Sequence, residues 1–242
     1  KDGQRIHVKH GHYRFKDEKM STRKGNVIWL EEVLEEAIRR AYKLSSDASF
    51  NNNLENNKRN RFDHLMNEEE ARKTAKDVAI GAIKWNDLKR GSNLDIIFDW
   101  DEILNMQGDS GPYIQYTYVR TQSVLAKVKS THSASSGQAI QNSKLNFSLA
   151  RSHPARLEAE EESILRAIHR FPEVVGEAAD NFAPNLLCNY LFDLAQKFNL
   201  FYQKHKIIES ENREFRLALT MAVGQILKNG LNLLGIQAPV KM

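Results

Sequence analysis

Apolar residues recur at three-to-four-residue spacing along most of the chain, which predicts helices. Two long apolar stripes mark the second half. One comprises Leu187, Tyr190, Leu191, Leu194, Phe198 and Tyr202, and the other Phe215, Leu219, Val223, Ile226, Leu227 and Leu231. Helices are predicted over residues 112–129, 155–170, 172–181, 184–205 and 211–234. Two more are predicted upstream, one after Leu30 and one opened by the capping pair Asn67 and Glu70.

The N-terminal part carries the signals of extended structure. Residues 5–15 predict a strand, a turn at Gly11 and a second extended piece, and residues 94–100 are predicted to be irregular or extended. Residues 45–60 and 130–143 are rich in Ser and Asn and predict loops. Gly235 follows the last helix as a predicted left-handed cap. The pattern therefore indicates a mainly α-helical chain with strands near its start.

Composition narrows the class of protein. The 242 residues are 41% hydrophobic and 27% charged, which is typical of a folded globular chain. No apolar run approaches the roughly 18 residues of a membrane helix, and the cationic start does not resemble a signal peptide, so we expect a cytoplasmic protein without membrane contact. The single cysteine, Cys188, excludes a disulfide framework within the chain and predicts a buried, inert thiol.

Positive charge is concentrated in one loop. The net charge is +4, and residues 1–24 hold eight Lys/Arg against three Asp/Glu. The loop reads Lys19-Met20-Ser21-Thr22-Arg23-Lys24-Gly25-Asn26. Its cations can offset the charge of a triphosphate, and its hydroxyls and amides can donate hydrogen bonds to one. On composition alone a solvated basic turn is the more frequent explanation, and the glycines of a Walker loop are absent.

This loop resembles the Lys-Met-Ser-Lys-Ser signature of class I aminoacyl-tRNA synthetases, and its surroundings resemble arginyl-tRNA synthetase. Further blocks in the same order extend the resemblance: Gly-Asp-Ser-Gly-Pro-Tyr-Ile-Gln-Tyr-Thr-Tyr-Val-Arg at 108–120, Tyr-Leu-Phe-Asp-Leu-Ala at 190–195, Phe-Asn at 198–199 and Leu-Lys-Asn-Gly-Leu-Asn-Leu-Leu-Gly-Ile at 227–236. The chain departs from the family in two places. Thr22 replaces the second signature lysine, and the Asp-Ala-Leu-Arg run that names the anticodon-binding domain is absent.

The resemblance implies the domain organisation. Residues 1–30 would form the end of a class I Rossmann-like catalytic domain, residues 31–106 a helical connecting segment that contacts the tRNA stem, and residues 107–242 an α-helical anticodon-binding bundle. The family's His-x-Gly-His signature would lie upstream, and His10-Gly11-His12 does not replace it. We therefore expect the C-terminal portion of a longer enzyme, catalytically inactive by itself.

The resemblance also implies an activity. The full-length enzyme would be an ATP-dependent ligase that attaches arginine to its tRNA through arginyl-adenylate. Its partners would be the tRNA for arginine, arginine, and ATP with Mg²⁺ as a substrate. A monomer is expected.

Site residues follow from the same resemblance. The catalytic residues would be Lys19, Ser21, Arg23 and Lys24. ATP would contact His7, His10, Gly11, Lys19, Met20, Ser21 and Gly25. The tRNA would contact Gln115, Tyr118, Arg120, Asn199, Tyr202 and Met242.

Alternatives remain for single residues and for the whole chain. Core packing is the preferred role for Tyr116, and Tyr202 fits the apolar stripe as well as it fits a base contact. A zinc site at His7, His10 and His12 is disfavoured, because His7 would lie on the opposite face of a strand. The chain could also be a stand-alone RNA-binding module derived from a synthetase, or a helical interaction protein. The last of these predicts no salt-dependent tRNA binding.

Overall fold

The computed structural model describes residues 5–14, 29–46, 68–133 and 156–242, and within these ranges the chain is mainly helical. The elements in order are β1 (Tyr13–Arg14), α1 (Leu30–Ser46), α2 (Glu68–Leu88), β2 (Ile96–Ile97), α3 (Trp100–Ile103), α4 (Gly111–Ser133), α5 (Ala159–Asp180), α6 (Pro184–Lys204) and α7 (Arg213–Leu233). The predicted fold class is confirmed. Among the described residues, no helix is long and apolar enough to cross a membrane.

The two short strands pair in parallel, with Tyr13 opposite Ile96. The amide of Ile96 donates to the carbonyl of His12 at 2.9 Å. Asp95 strengthens this junction, because its carboxylate accepts from the His12 amide at 2.9 Å and from the Arg14 guanidinium at 3.1 Å. Both contacts lower the pKa of Asp95. Of the strand, turn and second extended piece predicted over residues 5–15, only the second piece forms a paired strand in the described part, as β1.

A single large core holds α4, α5, α6 and α7 together. The predicted apolar stripes on α6 and α7 face it. Their fully buried members are Leu191, Leu194, Phe198, Val223, Leu227 and Leu231. Trp85 of α2 and Ile114 of α4 join the same cluster. The prediction of two amphipathic helices in one bundle is confirmed.

A second, smaller cluster lies between α1 and α2 and consists mostly of alanines. Its buried members are Ala37, Ala41, Ala75, Val78 and Ala79. Side chains this small let two helix backbones approach closely, so little apolar volume is needed between them. The N-terminal half of α2 therefore packs on α1, whereas Trp85 packs its second half on the bundle.

The predicted break at Pro172 is wrong, because α5 runs without interruption from Ala159 to Asp180. Proline has no amide hydrogen and removes one hydrogen bond from the helix ladder. Buried residues on both sides, including Ala167 and Val174, pack into the same core and hold the helix in register through the proline. The chain turns instead at Phe182, whose φ of 52° is left-handed, just before Pro184 opens α6.

Charged contacts fix the start of α5 against the neighbouring helices. Glu161 is fully buried and accepts from the Arg216 Nε of α7 at 2.7 Å. Glu160 accepts from Lys204 at 2.6 Å and pairs with His205 at 3.0 Å. These contacts lower the pKa of Glu160 to about 2. At the far end of α7, Gly235 adopts the predicted left-handed cap with φ 68°.

Candidate nucleic-acid interface

A group of polar and aromatic side chains surrounds Arg120 of α4 on the described part of the bundle. The central carbon of its guanidinium lies 4.9 Å from the ring centre of Tyr116, one helical turn earlier. It lies at the same distance, 4.9 Å, from the ring centre of Tyr202 on α6. Arg120 Nη1 also donates a hydrogen bond to Asn199 Oδ1. We call Tyr116, Arg120, Asn199 and Tyr202 the Arg120 cluster.

Asn199 anchors this cluster from inside the bundle. Its side chain is buried, and its Nδ2 donates to the Tyr113 hydroxyl at 2.9 Å and to Thr117 Oγ1 at 3.0 Å. With Oδ1 accepting from Arg120, the amide uses both of its donors and its acceptor. Asn199 therefore fixes the position of the guanidinium relative to the two tyrosine rings.

Such a cluster is suited to nucleic acid. Aromatic rings and the guanidinium plane are surfaces on which unpaired bases stack, and a guanidinium donates to phosphate and base oxygens. Arg120, Tyr116 and Tyr202 are each half-buried, so each keeps part of its surface exposed to solvent. The cluster thus combines a fixed charge with aromatic faces at the surface of a helix bundle.

Two residues predicted to contact tRNA lie in the interior instead. Gln115 is fully buried, and its Nε2 donates to the carbonyls of Asp77 and Gln237 at 3.1 and 2.8 Å. Tyr118 is 5% exposed, and burial raises the pKa of its hydroxyl. In this structure neither side chain faces solvent, because α4 is covered by α2, α6 and α7.

Met242, the last of the predicted tRNA contacts, is half-buried. Its side chain packs against both the bundle core and the α1–α2 cluster. It therefore lies at the junction of the two apolar clusters. Cys188 is fully buried as predicted, and burial raises the pKa of its thiol to about 12.

The residues predicted to act in catalysis or to bind ATP divide into two groups. Lys19, Met20, Ser21, Arg23, Lys24 and Gly25 lie outside the described residues. His7 and His10 are exposed on the segment before β1. Gly11 lies against the backbone of Leu94, where a Cβ would come within 2.0 Å of the carbonyl oxygen. The Gly11 amide donates to the Ser92 carbonyl at 2.8 Å.

Metal ligands do not cluster in the described ranges, where no three side chains of His, Cys, Asp or Glu come together. The described part does contain a polar cavity of about 300 Å³ between α2 and the start of α4. It is lined by Lys89, Arg90, Glu102, Asn105 and Asp109. Lys89 donates to Glu102 and to the Asp109 carbonyl, both at 2.7 Å, so internal contacts already use these charges.

Sequence reasoning missed two members of the hydrogen-bond network and assigned a third to the core. Tyr113 and Thr117 were not singled out, and Tyr116 was expected to be buried, whereas it is half-buried beside Arg120. A signal was present: positions 113, 116, 117 and 120 recur at three-to-four spacing and share one face of α4. Positions 199 and 202 have the same relation on α6, but only the structure shows that the two faces meet.

Comparison with known proteins connects this arrangement to a family. The family model described as "DALR anticodon binding domain" matches residues 114–242. The model described as "tRNA synthetases class I (R), catalytic domain" matches residues 4–100. The first match covers most of α4, all of α5 to α7 and the Arg120 cluster, and the second covers β1, α1, α2 and β2.

Curated relatives match almost the whole chain. An arginine–tRNA ligase of Halothermothrix orenii is 34% identical over 239 residues, or 98% of the chain and 37% of the relative. An arginine–tRNA ligase of Lactococcus lactis is 38% identical over 241 residues, with 98% of the chain and 37% of the relative covered. The chain therefore spans little more than a third of the length of the curated relatives it matches.

Solved structures agree with this relationship. Thermus thermophilus arginyl-tRNA synthetase superposes with a TM-score of 0.72 at 28% identity, covering 96% of this chain and 35% of that one. Plasmodium falciparum arginyl-tRNA synthetase shares the fold, with a TM-score of 0.68 at 24% identity and coverage of 89% and 34%. The chain belongs to the arginyl-tRNA synthetase family and corresponds to its C-terminal portion, including the DALR anticodon binding domain.

Proposed function

We propose that this chain is the tRNA-binding part of an arginine–tRNA ligase, and that the Arg120 cluster contacts bases of the anticodon loop. The observation that carries the proposal is the guanidinium of Arg120, 4.9 Å from each of two tyrosine rings and anchored by a buried amide. Stacking on such groups contributes about 1–3 kcal/mol per base. Among the residues expected to contact tRNA, Arg120, Asn199 and Tyr202 belong to the cluster.

The remaining predicted contacts have a different place in the proposal. Gln115, Tyr118 and Met242 support the bundle from within, since their side chains pack in its interior or at its junction with α1 and α2. They would influence tRNA binding through the shape of the bundle. Tyr116 takes the place of Tyr118 as the aromatic residue of α4 that meets the nucleic acid.

The whole enzyme would join arginine to its tRNA through arginyl-adenylate, with ATP and Mg²⁺ as substrate. Residues 1–30 would close the catalytic domain, residues 31–106 would connect it to the bundle, and residues 107–242 would bind the anticodon. Lys19, Arg23 and Lys24 would offset charge on the leaving pyrophosphate. The Ser21 hydroxyl would donate a hydrogen bond to the pyrophosphate. His7, His10, Gly11, Met20 and Gly25 would complete the ATP contacts, with Gly11 also allowing the close backbone approach at Leu94.

Competition binding tests the proposal. Labelled tRNA for arginine is bound to the chain and displaced by unlabelled tRNA for arginine, by the same tRNA with changed anticodon bases, and by an unrelated tRNA. The cognate tRNA should displace the label most effectively. Binding should weaken between ~50 and ~200 mM salt as phosphate contacts release counterions. Equal displacement by all three tRNAs would refute anticodon recognition.

Exchange of pyrophosphate into ATP separates binding from catalysis. The chain spans 37% of its curated relatives, and we expect it to bind tRNA without supporting arginine-dependent exchange. Measurable exchange by the chain alone would show that the residues needed for adenylate formation are all present in it.

A further inference from the structure

The segment after α7 connects the two apolar clusters. Residues 235–242, which we call the tail, begin at Gly235, whose carbonyl accepts from Lys84 Nζ of α2 at 2.5 Å. Gln237 offers its carbonyl to Gln115 of α4 at 2.8 Å. Ala238 and Met242 pack on the bundle core, and Met242 also packs on the α1–α2 cluster. The tail therefore contacts α2, α4 and both clusters within eight residues.

Gln115 is the central connection. Its side chain is fully buried, and its single amide nitrogen serves the Asp77 carbonyl in α2 and the Gln237 carbonyl in the tail. A primary amide has two N–H groups, so both are used. A side chain of similar shape without donors would lose both hydrogen bonds, to α2 and to the tail, which destabilises the contact.

The space around Gln115 admits little else. A Cβ on Gly81 would lie 2.7 Å from Gln115 Nε2, and a Cβ on Gly111 would lie 2.5 Å from the Gly81 carbonyl oxygen. The backbones of α2 and α4 thus approach closely where the amide crosses between them. Without side chains at positions 81 and 111, the glutamine can reach past α2 to the tail.

The connection matters most for α1 and the first half of α2. Trp85 is buried in the bundle core and already holds the second half of α2 to it. The first half of α2 contributes Ala75, Val78 and Ala79 to the α1–α2 cluster instead. Met242 packs on both this cluster and the bundle core. The tail thus contacts α2 beside Trp85, at Lys84, and through Met242 it also contacts the cluster on the first half of α2.

We propose that Gln115 is a positioning residue that locks the tail between α2 and α4, and so fixes the orientation of α1 and α2 relative to the anticodon-binding bundle. The functional meaning rests on the proposed ligase function, because α1 and α2 lie in the range matched by the catalytic-domain model and α4 to α7 carry the anticodon-binding match. The distance between the anticodon-binding bundle and the catalytic part, which a bound tRNA has to span, would then be fixed.

Spin-label distance measurements on the chain test this lock directly. Cysteines replace Arg72 on α2, whose side chain is 72% exposed, and Glu173 on the exposed face of α5. Cys188 is buried and should take no label, which labelling of the unsubstituted chain checks. The distance distribution is compared among the parent, Gln115→Met, Lys84→Met and a matched control, Lys76→Met, at an exposed lysine of the same helix.

The parent and Lys76→Met should give one narrow distribution, and Gln115→Met and Lys84→Met should each at least double its width. Lys84 is exposed, so its variant decides the question if Gln115→Met does not fold. Unchanged widths in the folded variants would overturn the lock, even if their melting temperatures fall. The measurement contains no tRNA, so its outcome and that of the anticodon-binding assay are independent.

Discussion

Two buried amides, Gln115 and Asn199, join segments that are far apart in the sequence. Gln115 connects positions 77 and 237, and Asn199 of α6 connects to Tyr113, Thr117 and Arg120 on α4. Each forms hydrogen bonds with at least two other residues. Residues of this kind contribute to stability and to the geometry of the surface above them.

The first prediction concerns Asn199→Leu. The substitution keeps the volume but removes the partner of Arg120 and of two hydroxyls, so the free energy of unfolding should fall by about 1–3 kcal/mol. Urea denaturation followed by circular dichroism measures the change. Asn229→Leu on the exposed face of α7 is the matched control and should alter stability little. Equal effects of the two substitutions would contradict the anchoring role of Asn199.

Residue roles were only partly predictable from the sequence. Arg120, Asn199 and Tyr202 were correctly located on helices of the bundle, but their contact across α4 and α6 depends on how those helices pack. Gln115 and Tyr118 were expected at the surface because their motif opens α4. Three helices cover α4, and local periodicity does not reveal how many sides of a helix are covered.

At the scale of elements, α5 combines an internal proline with a start that charged contacts fix against α6 and α7. The sequence predicted a boundary at Pro172, since proline usually ends a helix. Burial of residues on both sides overrides this preference. The pairing of β1 with β2 could not be predicted from the sequence either, because two-residue strands more than 80 positions apart show no periodic pattern.

Replacing Pro172 with Ala should stabilise the protein. Proline in a helix interior costs about 3 kcal/mol relative to alanine. Pro172 is exposed but lines an open groove together with Val175 and Leu233, so part of this gain should be offset and we expect on the order of 1–2 kcal/mol. Thermal unfolding should show a higher Tm. A lower Tm would show that the groove contacts of the proline outweigh the missing hydrogen bond.

The contacts of Glu160 at the start of α5 should make the free energy of unfolding depend on pH in the acid range. Lys204 and His205 lower the pKa of Glu160 to about 2, below its usual value of 4.5. A lowered carboxyl pKa stabilises the folded state above the unfolded-state pKa, and this contribution is lost as pH falls from about 4.5 towards 2. Between pH 6 and pH 3, Glu160→Gln should therefore lose less stability than the parent.

Glu162→Gln is the control for this measurement, because Glu162 lies on the same helix in an exposed pair with Arg166. Urea denaturation at both pH values compares the three proteins. A pH dependence of Glu160→Gln as steep as that of the parent would place the acid-sensitive group elsewhere.

At the scale of the whole molecule, two family matches meet in one continuous structure. The catalytic-domain match ends at residue 100 and the anticodon-binding match begins at residue 114. Trp85 and the tail nevertheless join the two ranges through shared apolar contacts. The motifs in the sequence predict this order of parts. They do not predict the contact between the parts, because that contact depends on the close approach of two helix backbones at Gly81 and Gly111.

The most direct test of the central claim is a thermodynamic cycle between Arg120 and the anticodon. Arg120→Lys keeps the charge but removes the planar group beside the two rings, and Arg166→Lys on α5 is the matched control. Kd is measured for each protein with tRNA for arginine and with the same tRNA carrying changed anticodon bases. Lysine cannot reproduce the two-pronged hydrogen bonds of the guanidinium to a base edge. Arg120→Lys should therefore weaken cognate binding roughly tenfold, within the about 1–3 kcal/mol of such a base contact, and hardly affect the altered tRNA, which lacks that edge. An equal change for both tRNAs would contradict the account.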